Sequence, residues 1–158
     1  QDATYGVLVE VLRKIATARV GLSPAFASLA ETGEGLRLAR LAVAGKPSRD
    51  GFVCAFDDAP LAFAAVSAPE VMNRIEESVL GGLRGLPAEE RAVLSQTFQA
   101  WLDAGGSANE AAAAIFCHPN TIRHRLHRIE ERTGRSLSRP RDVAELCLAF
   151  EISQRLPD

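Results

Sequence analysis

Cysteine is scarce. The 158 residues hold three, Cys54, Cys117 and Cys147. Their odd number and wide spacing fit neither a disulfide framework nor the paired thiols of a zinc site, so a cytoplasmic, reducing location is expected. Long apolar runs are also missing: none approaches the ~20 residues that cross a bilayer, and no basic stretch followed by an apolar one opens the chain, so no membrane or export role is expected. An excess of positive charge is absent too. Eighteen Lys and Arg stand against twenty Asp and Glu, a balance that does not by itself mark a nucleic-acid binder. Nor is there a phosphate-binding glycine loop, a catalytic metal pair or a placed general base, so no catalytic residue, metal or cofactor is expected and the chain reads as a non-enzyme.

What is present is a globular composition. The chain is 47% hydrophobic and 24% charged, enough apolar material for a packed core. Single cores commonly run to about 100–150 residues, so this length suits one domain or two small ones. Two are expected, with a mainly α fold overall: a small α/β piece over residues 1–85 with a short two-stranded sheet, then a helical domain over 86–158.

In the first part, Val7, Leu8, Val11, Leu12 and Ile15 stand at helical spacing and predict a helix over 4–17 with these residues buried. A strand over 18–22 follows. A helix over 28–44 is expected to be interrupted or delayed by Gly33 and Gly35. Phe52 to Phe56 is an apolar run of strand length that pairs with the earlier strand. Asp57 and Asp58 then read as a turn or helix cap, since adjacent aspartates at a strand end point to opposite sides and make a poor catalytic pair. Residues 60–83 are mostly helical with a break near Pro69. Gly81, Gly82, Gly85 and Pro87 mark the linker.

The second part carries the informative constellation. Leu94, Phe98, Trp101 and Leu102 at i, i+4, i+7, i+8 predict a helix over 87–103 that buries Trp101, ended by Gly105 and Gly106. Ser107-Ala108-Asn109-Glu110 has the S-x-x-E form of a capping box and starts the next helix. Pro119 suits the first position of another, leaving a turn of about three residues, Phe116 to His118. Two helices joined so closely are the geometry of a helix-turn-helix, whose second helix lies in the major groove of DNA.

On that second helix, about 119–133, Ile122, Leu126 and Ile129 form the core-facing stripe. The opposite face presents Asn120, His124, His127 and Arg128, flanked by Thr121 and Arg123. These six are the expected base-reading residues, because Asn and Arg side chains match adenine and guanine edges. Between His118 and Arg141 lie seven arginines against Glu130 and Glu131, a basic patch on an acid-balanced chain. Ser107, His118, Arg125, Arg132, Arg135 and Arg139 are the expected phosphate anchors, with His118 equally suited to cap the helix. Gly134 suits a left-handed helix end, and Pro140 opens a last helix burying Val143, Leu146, Cys147 and Phe150. The His124, His127 and Glu131 spacing could hold a metal in principle, but a fourth ligand is not evident.

The run Trp101-Leu102-Asp103-Ala104-Gly105-Gly106-Ser107, followed by His118-Pro119-Asn120-Thr121-Ile122-Arg123-His124-Arg125-Leu126, Ile129-Glu130 and Thr133-Gly134-Arg135, closely resembles the C-terminal helix-turn-helix of the PucR/CdaR family of bacterial transcriptional regulators. The resemblance covers residues 86–156. His124 and His127 stand where it leads one to expect Tyr and Arg. Residues 18–58 resemble the trailing half of the degenerate GGDEF-like, nucleotide-cyclase-like domain of that family, Val20-Gly21-Leu22-Ser23 its late strand and Leu38-Ala39-Arg40-Leu41-Ala42 its following helix. The GGDEF hairpin itself is absent, so no cyclase activity is implied. The resemblance implies double-stranded DNA as partner, a homo-oligomer, and a small-molecule effector bound outside this chain. The rival readings are a protein-interaction module whose arginines meet acidic residues, and an inactive cyclase relic.

Overall fold

A computed structural model of the chain describes residues 3–44, 51–56 and 60–155. Among them are eight α-helices and two short strands: α1 (Ala3–Ile15), β1 (Val20–Leu22), α2 (Thr32–Ala44), β2 (Val53–Ala55), α3 (Pro60–Ser67), α4 (Pro69–Leu80), α5 (Ala88–Asp103), α6 (Ala108–Ala114), α7 (Pro119–Thr133) and α8 (Pro140–Arg155). The chain is mainly α with a small two-stranded sheet, as its periodicities predict. Contacts divide it into two compact units, Gln1–Asn73 with Glu151–Asp158, and Arg74–Phe150. The division falls ahead of the glycine-rich stretch expected to be the linker. The reason is apolar: Val79, Leu80, Leu83 and Leu86 belong to the core that α5 to α8 build.

In the first unit, β1 and β2 pair in parallel, with Val20 opposite Val53, Gly21 opposite Cys54 and Leu22 opposite Ala55. A parallel pair needs a crossover, and α2 lies between the two strands in the chain. The helix sits so close that a Cβ on Gly21 would fall 2.1 Å from the Ala39 carbonyl oxygen. Only glycine fits there. Of the interruption or delay expected at Gly33 and Gly35, the interruption does not occur but the delay does: a 3-10 turn over Leu29–Glu31 precedes α2, which begins at Thr32 and runs through both glycines. Gly35 is buried, and a Cβ on it would lie 2.7 Å from the Phe26 ring. Packing overrides the weak helix propensity of glycine.

The stripe expected to bury α1 is also corrected. Val7, Leu8, Val11 and Ile15 are exposed, while Val9 is buried and Tyr5, Leu12 and Ala16 are half-buried. Tyr5, Val9, Leu12 and Ala16 form their own i, i+4, i+7, i+11 stripe, anchored where the Tyr5 hydroxyl donates to the Ser23 carbonyl at 2.9 Å. Val53, Ala55, Phe63 and Val66 are buried elsewhere in this unit, and the Phe56 and Phe63 rings stack at 4.6 Å. Asp57 and Asp58, and Gly45 to Asp50 of the expected turn, lie outside the described residues.

The second unit packs helices around Leu94 and Phe98 of α5, Ala111 and Ala112 of α6, Ile122, Leu126 and Ile129 of α7, and Leu146, Ala149 and Phe150 of α8. Phe98 and Phe150 stack at 4.7 Å. Trp101 is half-buried against this core rather than enclosed by it. The expected stripe of α7 is therefore the observed one, and it fixes which face of that helix looks outward.

Candidate nucleic-acid interface

The motif begins at a cap. Ser107 is extended, and its hydroxyl oxygen accepts from the Glu110 N–H at 3.3 Å. The reciprocal half of the expected capping box is not made, because the Ser107 N–H donates to the Ala104 carbonyl at 3.0 Å. Gly105 and Gly106, at φ of 58° and 87°, curl the chain back so that this bond forms first. Ser107→Ala is expected to cost about 1 kcal/mol, the ordinary worth of one helix cap, seen as a lower urea midpoint with an unchanged slope.

Ala111 and Ala112, at 0% and 1% exposure, let α6 and α7 approach closely. Helix α6 ends at Ala114, one residue before the end implied by the expected turn, and Ile115 caps it. Phe116 follows with φ of 53°. The Cys117 N–H then returns to the Ala112 carbonyl at 3.0 Å, closing the turn. His118 is the N-cap of α7: its Nδ1 accepts from the Asn120 N–H at 3.1 Å, and Pro119 takes the first helical position. At the far end Gly134 is left-handed, with φ of 66°, and its N–H donates to Glu130 at 2.8 Å. A 3-10 turn over Gly81–Leu83 abuts this end, with the Gly82 α-carbon so near the Arg132 carbonyl that a Cβ would overlap it.

On the outward face, Asn120, Arg123, His124 and His127 are exposed and Thr121 is half-buried. The Arg123 guanidinium bridges the two helices. It donates to Asn120 Oδ1 and to Asn109 Oδ1, both at 2.9 Å. His127 lies 3.2 Å from Glu131 and 3.7 Å from Glu130. Arg128 is half-buried, its Nε 2.5 Å from the Glu90 carboxylate of α5 in a charge contact rather than an aligned hydrogen bond. Among the proposed anchors, Arg132 and Arg139 are exposed. Arg125 reaches inward to the Thr97 hydroxyl of α5 at 3.4 Å. Arg135 is held by Glu145 of α8 at 2.7 Å. These last two already have structural partners, whereas Asn120, Arg123, His124 and the outer edge of His118 lie at one end of one helix.

Three residues that matter here were not singled out from spacing. Asn109 completes the Arg123 bridge, Glu90 neutralises Arg128, and Glu130 accepts from the Leu137 N–H at 2.8 Å to order the loop after α7. Asn109 sits inside the capping box, which offers a reason for its presence without revealing its partner. Among the described residues no group of three or more His, Cys, Asp or Glu is arranged to hold a metal ion, and no helix is long and apolar enough to cross a membrane.

A short helix, a tight turn and a second helix that exposes amide and guanidinium donors at its N-terminal end define a helix-turn-helix DNA-binding module. Residues 94–152 match the family described as the PucR C-terminal helix-turn-helix domain. An uncharacterized protein of Mycobacterium tuberculosis is 42% identical over 67 residues, which are 42% of this chain and 16% of that protein. The transcriptional activator PmfR of Paenarthrobacter nicotinovorans is 35% identical over 96 residues, 61% of this chain and 20% of the relative. The chain thus spans a small part of the curated relatives it matches. A crystal structure of a regulator of polyketide synthase expression from Bifidobacterium adolescentis aligns over 79% of this chain and 52% of that one, at 27% identity and a TM-score of 0.46. The domain match and the related activator support a PucR-type, DNA-binding transcriptional regulator.

Proposed function

We propose that this chain binds double-stranded DNA in a sequence-specific manner, with α7 in the major groove, and so regulates transcription. The observation that carries the reading is the Arg123 bridge, which fixes a guanidinium and the Asn120 amide side by side at the exposed start of α7. Asn120 and Arg123 have the chemistry to read adenine and guanine edges. Thr121, His124, His127 and Arg128 extend the readout along the helix, Arg128 after exchanging Glu90 for DNA. Ser107, His118, Arg132 and Arg139 are placed as phosphate contacts, with the N-terminal dipole of α7 adding to the attraction. Arg125 and Arg135, expected from sequence to be anchors, are assigned to the scaffold instead.

We further propose that the first unit is part of a GGDEF-like regulatory region that pairs two copies of the chain in the cytoplasm, with the effector bound outside these residues. Its parallel strands joined through a helix support that assignment. Two-fold pairing would set half-sites roughly 34–36 Å apart along the duplex.

The test is fluorescence-anisotropy titration of a random-sequence duplex pool at two salt concentrations. The two cationic phosphate contacts, Arg132 and Arg139, predict that the logarithm of affinity falls with the logarithm of salt at a slope of roughly −2 for each copy bound, with particular sequences enriched among the bound fraction. Binding that is absent, or that enriches no sequence, rejects the proposal.

A further inference from the structure

Phe116 breaks two rules at once. Its side chain is 97% exposed, more than any other large hydrophobic residue described. It is also, among the described residues, the only one other than glycine with a positive φ. Left-handed backbone suits glycine or asparagine and strains a bulky L-residue, whose Cβ crowds the neighbouring carbonyl. Stability alone therefore favours a small residue at this turn and a phenyl ring somewhere else. A strained residue that also wastes its apolar surface points to a role outside the fold.

Its place in the motif narrows that role. Phe116 lies two residues before His118, so their α-carbons are at most about 7.6 Å apart, and the ring stands at the same end of α7 as Asn120 and Arg123. On α6, the neighbours Ala113 and Ala114 are exposed and small, leaving the ring proud of the surface. The donors beside it suit phosphates and base edges but offer nothing to the apolar parts of a duplex, which are the thymine methyls in the major groove and the faces of the sugars. A phenyl ring is among the side chains that pack on a thymine methyl.

Resting on the DNA-binding reading above, we infer that Phe116 is an apolar DNA-contact residue, held out of the turn to pack on thymine methyls or deoxyribose beside the bases read by α7. The test compares the 158-residue wild type with Phe116→Gly, Phe116→Asn and Phe116→Leu. The probe is a duplex pool of about 40 bp with a random centre, enriched beforehand by binding to the wild type. Gly and Asn relieve the backbone strain and remove the ring, so affinity falls about tenfold while the melting temperature stays level or rises. Leu keeps the strain and an apolar side chain, and retains most of the affinity. A residue serving only the turn gives the opposite order, with Gly and Asn binding at least as well as Phe. That order, or a loss of affinity matched by a fall in melting temperature, overturns the inference. Copying the pool with deoxyuridine for thymidine separates the two apolar sources: a loss in the wild type that vanishes in Phe116→Gly assigns the methyl, and equal behaviour assigns the sugar. If the wild type enriches no sequence, the DNA-binding reading itself has failed, and the variants then need not be compared to see why.

Discussion

Replacing Asn120 and Arg123 together by alanine is expected to lower affinity for an enriched duplex about 100-fold and to leave the fold intact. Each good base contact is worth about 1–3 kcal/mol of discrimination, and the two side chains are bonded to each other, so they act as one reading element rather than two independent ones. Both are exposed, and the cap on α7 survives, since His118 accepts from the Asn120 backbone rather than from its side chain. Surface changes of this kind usually shift stability by no more than ~0.5 kcal/mol. Asn109→Ala should show a smaller loss of the same kind, because it frees the guanidinium without removing it. The measurement is anisotropy on the enriched duplex and on an unselected pool in parallel. Loss on the first with little change on the second is the signature of base reading; equal loss on both would make these residues phosphate contacts and sink the assignment.

The second large effect is on stability. Gly82→Ala is expected to lower the melting temperature of the chain by about 10 °C, whereas Gly81→Ala should change it little. The two glycines are adjacent in the same 3-10 turn. A Cβ on Gly82 would lie 1.8 Å from the Arg132 carbonyl oxygen and 2.9 Å from its carbon, while one on Gly81 meets nothing within 4 Å. The obstacle is backbone at the end of α7, which cannot swing aside as a side chain can. Overpacking of this sort costs typically 1–3 kcal/mol, and each kcal/mol moves the melting point of a domain this small by roughly 4–8 °C. Thermal melts followed by circular dichroism decide the matter, and equal melting of the two variants would mean that the turn does not abut α7 as described.

Helix α7 was legible because a buried helical stripe is written periodically in the chain. Ile122, Leu126 and Ile129 announce it, while Pro119 and Gly134 mark its ends by conformational constraints that belong to single residues. The same logic misled on α1, where two apolar stripes overlap and only tertiary packing chooses Tyr5, Val9 and Leu12 over Val7, Leu8 and Ile15. Gly33 and Gly35 misled for a related reason, since the Phe26 ring against Gly35 is a contact between residues whose spacing shows nothing. Among the arginines, sequence gives the charge but not the partner. Glu90 lies on a different helix from Arg128, and Glu145 on a different one from Arg135, so no local pattern reveals these partners.

The cap at His118 settles a matter of proton placement. A ring nitrogen that accepts from the Asn120 N–H must keep its lone pair, so the single hydrogen of the neutral imidazole resides on Nε2. The ring is thereby a two-ended connector, its lone pair turned to the helix and its N–H turned outward as a donor.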